Sequence, residues 1–180
     1  MQKNLPPLTL VLGGAASGKS KFAEDLCDVP GKSKIYIATS QAFDAEMQTK
    51  IEAHKKQRGR GWQTFEAPCY VASVLANRSE NEVVLLDCLT FWLTNHLLAD
   101  PTPPEDLQTV LSGLSNCAAP VVVVSNELGQ GIVPENALAR RFRNEHGKMN
   151  QAVAAQANLV VQVIAGLPMV LKGQLPGGIQ

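Results

Sequence analysis

The 180-residue chain is 45% hydrophobic and balances 16 basic against 16 acidic residues, which excludes broad electrostatic attraction to nucleic acid or an anionic membrane surface. Its length suits one domain with a sizeable core, running over 1–180 with free ends at 1–7 and 173–180. It contains no apolar run long enough to span a bilayer and no leader pattern, so a cytoplasmic location is expected.

In chain order, Leu8–Leu12 reads as a short buried strand ending at Gly13 and Gly14. A helix is predicted over Lys19–Leu26 and a second strand over Lys34–Ala38. Asp44 is placed to cap a helix from Ala45 to Arg58. Val83–Leu86 is a third strand, Leu89–Leu98 a helix, and the proline-rich stretch Ala99–Pro104 a surface loop. A helix over Glu105–Cys117 follows, then the four-valine strand Val121–Val124. Pro134 suits the first turn of a helix continuing to Asn158, and Leu159–Ile164 is a last strand. Strands that are continuously apolar and alternate with helices predict an α/β fold, a mostly parallel sheet flanked by helices on both faces.

The strongest local signal is Gly13-Gly14-Ala15-Ala16-Ser17-Gly18-Lys19-Ser20, which fits GxxxxGK[ST] between a predicted strand and a predicted helix. Glycine lets the backbone turn its N–H groups onto phosphate, and the helix start adds partial positive charge. Lys19 is expected to reach the β- and γ-phosphates, and Ser20 to offer its hydroxyl to Mg2+. Asp87, ending a strand in VVLLDCLT, is the candidate carboxylate for that metal; a helix N-cap is its other reading.

Met47, Ile51, His54 and Arg58 share one face of the predicted helix, with Lys55 and Lys56 adding charge nearby. His54 is there either a nucleophile or acid/base beside phosphates, or a half-buried structural histidine, which the segment alone favours. His96 and His146 are expected at surface or helix-end positions. Asn126 and Glu127 follow a buried strand, at the edge where open α/β sheets bind ligands. Gly129 and Gly131 make the next loop bendable, and Arg140 and Arg143 lie beyond it; a substrate lid and a solvated connection are equal readings. Cys27, Cys69, Cys88 and Cys117 form no CxxC pair, so reduced thiols are expected, with no zinc cluster.

Taken together, GGAASGKS, YIATSQAFDAEMQTKIEAHKKQR, VVLLDCLTFWLTN and VSNELGQGIVPENALARRFRNEHGKMNQ resemble the bifunctional adenosylcobinamide kinase / adenosylcobinamide-phosphate guanylyltransferase family. The resemblance covers roughly Leu8 to Lys172. It implies a P-loop NTPase fold, ATP and GTP as substrates with Mg2+, and a homotrimer. It also implies phosphorylation of adenosylcobinamide, then transfer of GMP to the phosphate through a GMP–histidine intermediate; the matching histidine here is His54. The nucleotide contacts carry over to Gly13 through Ser20, Ala38, Thr39, Ser40, Lys55, Lys56, Gln57, Arg58, Glu66 and Asp87. The chain departs from the family pattern at Ala16, commonly arginine, and at Ala53, a second histidine in some members. A monofunctional small-molecule kinase, which leaves His54 idle, and a nonenzymatic nucleotide switch are the competing readings.

Overall fold

The structure is a computed structural model describing residues 5–29, 31–41, 49, 61–98 and 105–177. The predicted helix from Ala45 to Arg58, including His54 and the basic residues after it, lies outside the described residues except for Thr49.

Seven strands form one sheet: β1 (Leu8–Gly13), β2 (Ser33–Ala38), β3 (Trp62–Glu66), β4 (Glu82–Asp87), β5 (Val121–Asn126), β6 (Leu159–Ile164) and β7 (Leu167–Lys172). Their spatial order is β3-β2-β4-β5-β1-β6-β7, and every pairing is parallel except β6 with β7. The helices are α1 (Lys19–Leu26), α2 (Val71–Leu75), α3 (Leu89–Leu98), α4 (Leu107–Asn116) and α5 (Ala137–Gln156).

The central strands read as unbroken apolar runs because both faces are covered. On β5, Val121 and Val123 join the core with α2, α3, α4 and α5, whereas Val122 and Val124 point to the opposite core with α1. β4 splits the same way, Val84 and Leu86 against Val83 and Leu85.

Several sequence expectations need correction. Pro134 does not open α5; Asn136 does, its side-chain oxygen accepting from the Leu138 and Ala139 N–H groups, and the helix stops at Gln156. Glu105 precedes α4, whose cap is Asp106. Three elements carried too little periodicity to be read: β3, the five-residue α2, and β7. β7 follows a two-residue turn of Ala165 and Gly166, both with positive φ, the geometry a tight hairpin requires. Leu5 and Leu175, in stretches expected to be free, pack on the α1-side core.

Candidate nucleotide site

The register of the sheet collects the expected site residues along one edge. At the carboxyl ends of the strands, Ala38 of β2 pairs with Glu66 of β3 and with Asp87 of β4; Gly13 of β1 pairs with Asn126 of β5. β5 therefore stands between the strand that leads into the glycine-rich loop and the strand that ends at Asp87. Asp87 nonetheless lies close enough to Lys19 to act on its charge.

Between β1 and α1 the backbone turns through Ala16 at φ 54° and Gly18 at φ 93°, left-handed positions that curl successive N–H groups inward. No side chain caps the start of α1, so its first-turn N–H groups face the concavity uncapped. The ammonium of Lys19 donates to the Gly14 carbonyl at 3.0 Å, closing the loop on itself. Burial pulls Lys19 below its ordinary lysine value, and the Asp87 carboxylate opposes that shift. Cys88 is itself buried, its thiol pushed up to about 12 chiefly by burial, so it stands neutral beside the site.

Two supports of this loop were not read from the sequence. The Gly166 N–H at the β6–β7 hairpin tip donates to the Ser17 carbonyl at 2.8 Å, and the Glu127 N–H donates to the Gly13 carbonyl at 3.0 Å. The hairpin thus buttresses the loop from one side and the β5 end holds it from the other. An apolar strand, a two-residue turn and a second apolar strand were the available signal for the hairpin.

Asp87 is oriented by Tyr36, whose hydroxyl donates to its Oδ2 at 2.8 Å. A tyrosine inside a buried strand needs a partner for its hydroxyl, a clue available from the sequence. Thr39 is fully buried and its hydroxyl is spent internally, donating to the Cys88 carbonyl at 2.6 Å and accepting from the Cys88 N–H at 2.8 Å. Its side chain fastens the end of β2 to the end of β4. Ser40 is half-buried just beyond, and Glu66 is exposed.

His146 corrects an expectation: it is 1% exposed, on the inner face of α5 with Met149, Asn150 and Val153. That i, i+3, i+4, i+7 spacing was legible in the sequence. Its Nε2 lies 3.0 Å from Thr90 Oγ1 and 3.3 Å from Ser125 Oγ. His96 sits in the last turn of α3, as expected, half-buried and stacked on Trp92. The four cysteines are free.

A family model described as cobinamide kinase / cobinamide phosphate guanyltransferase matches residues 9–171. The chain belongs to this family. It is 43% identical to the bifunctional adenosylcobalamin biosynthesis protein CobP of Pseudomonas aeruginosa, over 92% of this chain and 97% of that one. It is 40% identical to the bifunctional adenosylcobalamin biosynthesis protein CobU of Escherichia coli K12, over 92% of this chain and 99% of that one. Among solved structures, a Pyrococcus horikoshii OT3 protein superposes with TM-score 0.53 at 10% identity, covering 99% of this chain and 94% of that one. An ATPase of a bacterial type III secretion system superposes with TM-score 0.50 at 9% identity, covering 91% of this chain and 56% of that one. These two likenesses speak to the fold alone. The matched span includes the glycine-rich loop from Gly13 to Ser20 between β1 and α1.

Proposed function

We propose that this chain phosphorylates adenosylcobinamide with ATP or GTP and then transfers GMP from GTP to the new phosphate, working in the cytoplasm as a homotrimer. The family match over residues 9–171 carries the reading, and the formed phosphate loop between β1 and α1 supports it.

In the first reaction the aminopropanol hydroxyl oxygen of adenosylcobinamide attacks the γ-phosphorus. The bond to the β-phosphate oxygen breaks, and a nucleoside diphosphate leaves. Loop N–H groups, the α1 N-terminus and Lys19 hold the phosphates in line, so positioning and charge supply most of the acceleration. Glu127, past the end of β5, is the candidate acceptor for the hydroxyl proton.

The residues present suit Mg2+. Asp87 has one oxygen fixed by Tyr36, leaving the other to the metal, and Ser20 adds a hydroxyl. No cluster of three metal-binding side chains occurs among the described residues, which fits an ion held by one carboxylate, one hydroxyl, waters and phosphate. When bound, the ion neutralises charge that builds on the phosphates.

In the second reaction the neutral imidazole of His54 attacks the α-phosphorus of GTP and pyrophosphate leaves. The phosphate of adenosylcobinamide phosphate then displaces the imidazole, giving adenosylcobinamide-GDP. Arg58, four residues further along the sequence, with Lys55, Lys56 and Gln57, offsets phosphate charge. The γ- and α-phosphorus are different targets, so the reading includes either two nucleotide poses or movement of the segment that carries His54.

GTP labelled at the α-phosphate tests the scheme. Label should become protein-bound as an acid-labile phosphoramidate, and His54→Ala should abolish that adduct while sparing phosphorylation of adenosylcobinamide. Phosphorylation without any adduct in the unaltered chain would leave a monofunctional kinase. Absence of both reactions would leave a nucleotide switch.

A further inference from the structure

An apolar cavity of about 620 Å³ opens between the last turns of α3 and the first turns of α5, roofed by the loop at 128–136. Its walls include Leu97, Leu98, Leu128, Pro134, Leu138 and Phe142. We propose that this cavity receives the corrin macrocycle of the acceptor, an inference that rests on the functional reading above.

Three observations carry it. The first is position. Leu128 directly follows Glu127, whose N–H is bonded to Gly13, so the cavity wall begins at the sheet edge that carries the phosphate loop. An acceptor reaching the γ-phosphate must lie along that edge.

The second is that the cavity is already built. Arg143 donates to the Ile132 carbonyl at 2.9 Å and the Gly131 carbonyl at 3.2 Å, and Arg140 donates to the Pro134 carbonyl at 3.0 Å and to the Glu135 carbonyl. The two arginines, read as possible lid residues, pin the roof to α5. A site held by its own main chain loses little freedom when a ligand enters.

The third is chemistry. Corrin presents a methylated rim interrupted by carboxamides, with no anionic group of its own. The cavity wall is apolar, with Arg143's charge turned to the roof carbonyls and two uncharged polar side chains, Thr94 and Asn136. The Asn136 oxygen is taken by the helix cap, which leaves its Nδ2 to donate to a carboxamide carbonyl. The Thr94 hydroxyl donates to the Thr90 carbonyl at 3.0 Å and keeps its lone pairs for a carboxamide N–H. In the roofing loop Ile132 is 94% exposed, an apolar side chain free to meet a ligand larger than the cavity.

Two variants test the site. Leu138→Asp alters a side chain that is 56% exposed and so contributes little to the core, and Ala139→Trp fills the cavity from an exposed helix position. Adenosylcobinamide is the probe, its visible absorbance reporting free and bound ligand in equilibrium dialysis, with GTP dialysed in parallel. Both variants should weaken adenosylcobinamide binding by about tenfold or more while GTP affinity stays within about twofold. Subunit number by light scattering should match the unaltered chain. Unchanged adenosylcobinamide affinity in either folded variant overturns the site. A change in subunit number alongside the loss assigns the face to a second copy and also overturns it. Failure of the unaltered chain to bind adenosylcobinamide at all overturns the functional reading together with the site.

Discussion

The Nε2 of His146 on α5 lies 3.0 Å from the hydroxyl of Thr90 on α3, fully inside the protein. Around that pair, both backbone groups of Asn126 are held by side chains. Its N–H donates to Thr90 Oγ1 at 3.0 Å, and its carbonyl accepts from Asn150 Nδ2 at 3.0 Å, while Ser125 donates to Asn150 Oδ1 at 2.7 Å. Asn126 is the register partner of Gly13, so this polar cluster fixes the β5 end against which the phosphate loop is built.

Burial holds the His146 imidazole below its ordinary value of 6.5, with Glu127 pulling the other way. The unfolded chain therefore takes up a proton near pH 6.5 that the folded chain refuses. The resulting stabilisation is complete above that pH and is lost as pH falls through it toward the folded value. The urea midpoint should accordingly fall between about pH 7.5 and about pH 5.5, and His146→Gln should flatten that slope. A variant with the same slope as the unaltered chain would remove His146 from the explanation.

Gly13 cannot carry a side chain. A Cβ there would stand 2.4 Å from Ser17 Oγ and 2.8 Å from the Val163 carbonyl. Gly13→Ala should lower stability by about 1–3 kcal/mol and weaken GTP binding by at least about tenfold, because relief requires the loop to shift off its supports. Ser17→Ala is the contrasting change: the Ser17 hydroxyl is buried without a partner among the described residues, and its loss should leave stability undiminished in a thermal melt.

How much of this was legible follows from where the physics is local. The turn between β1 and α1 was readable because glycines, helix start and lysine are contiguous, and the place of Asp87 because it ends an apolar strand. The strands of the buried centre were readable because both faces demand apolar residues. β3 was not, since Gln63 and Thr64 are exposed on a strand at the sheet margin. β7 is exposed along most of its length and contains Pro168, so it lacks a core pattern. The bonds of Gly166 to Ser17 and of Tyr36 to Asp87 join residues far apart in the chain, and only the assembled sheet brings them together.

The Tyr36 hydroxyl fixes one oxygen of Asp87 at 2.8 Å. Asp87→Asn should remove the carboxylate proposed for Mg2+ and lower the kinase rate by two orders of magnitude or more, about 3 kcal/mol in the barrier. Tyr36→Phe keeps the charge and loses only the orienting bond, worth about 1 kcal/mol. It should raise the Mg2+ concentration needed for half-maximal activity with a smaller effect on the saturated rate. Equal losses at saturating Mg2+ for both variants would contradict the assignment of separate roles.

Glu105 joins three elements at once. It is 8% exposed; its Oε1 accepts from the Val71 N–H at 2.8 Å and from Trp92 Nε1 at 3.0 Å, and its Oε2 accepts from the Ala72 N–H at 3.0 Å. The carboxylate thus caps α2 from a distant part of the chain and anchors the largest side chain of α3. Removing it strands three buried or half-buried donors, so Glu105→Ala should cost about 2–4 kcal/mol. Glu105→Gln retains one acceptor oxygen but brings a second amide donor among donors, and should recover less than half of that loss. Chemical denaturation of the two variants checks the order. Because Glu105 lies away from the phosphate loop in the hydrogen-bond pattern, GTP affinity should survive in both at temperatures where they remain folded. A selective loss of GTP binding with unchanged stability would instead move Glu105 from the scaffold to the site.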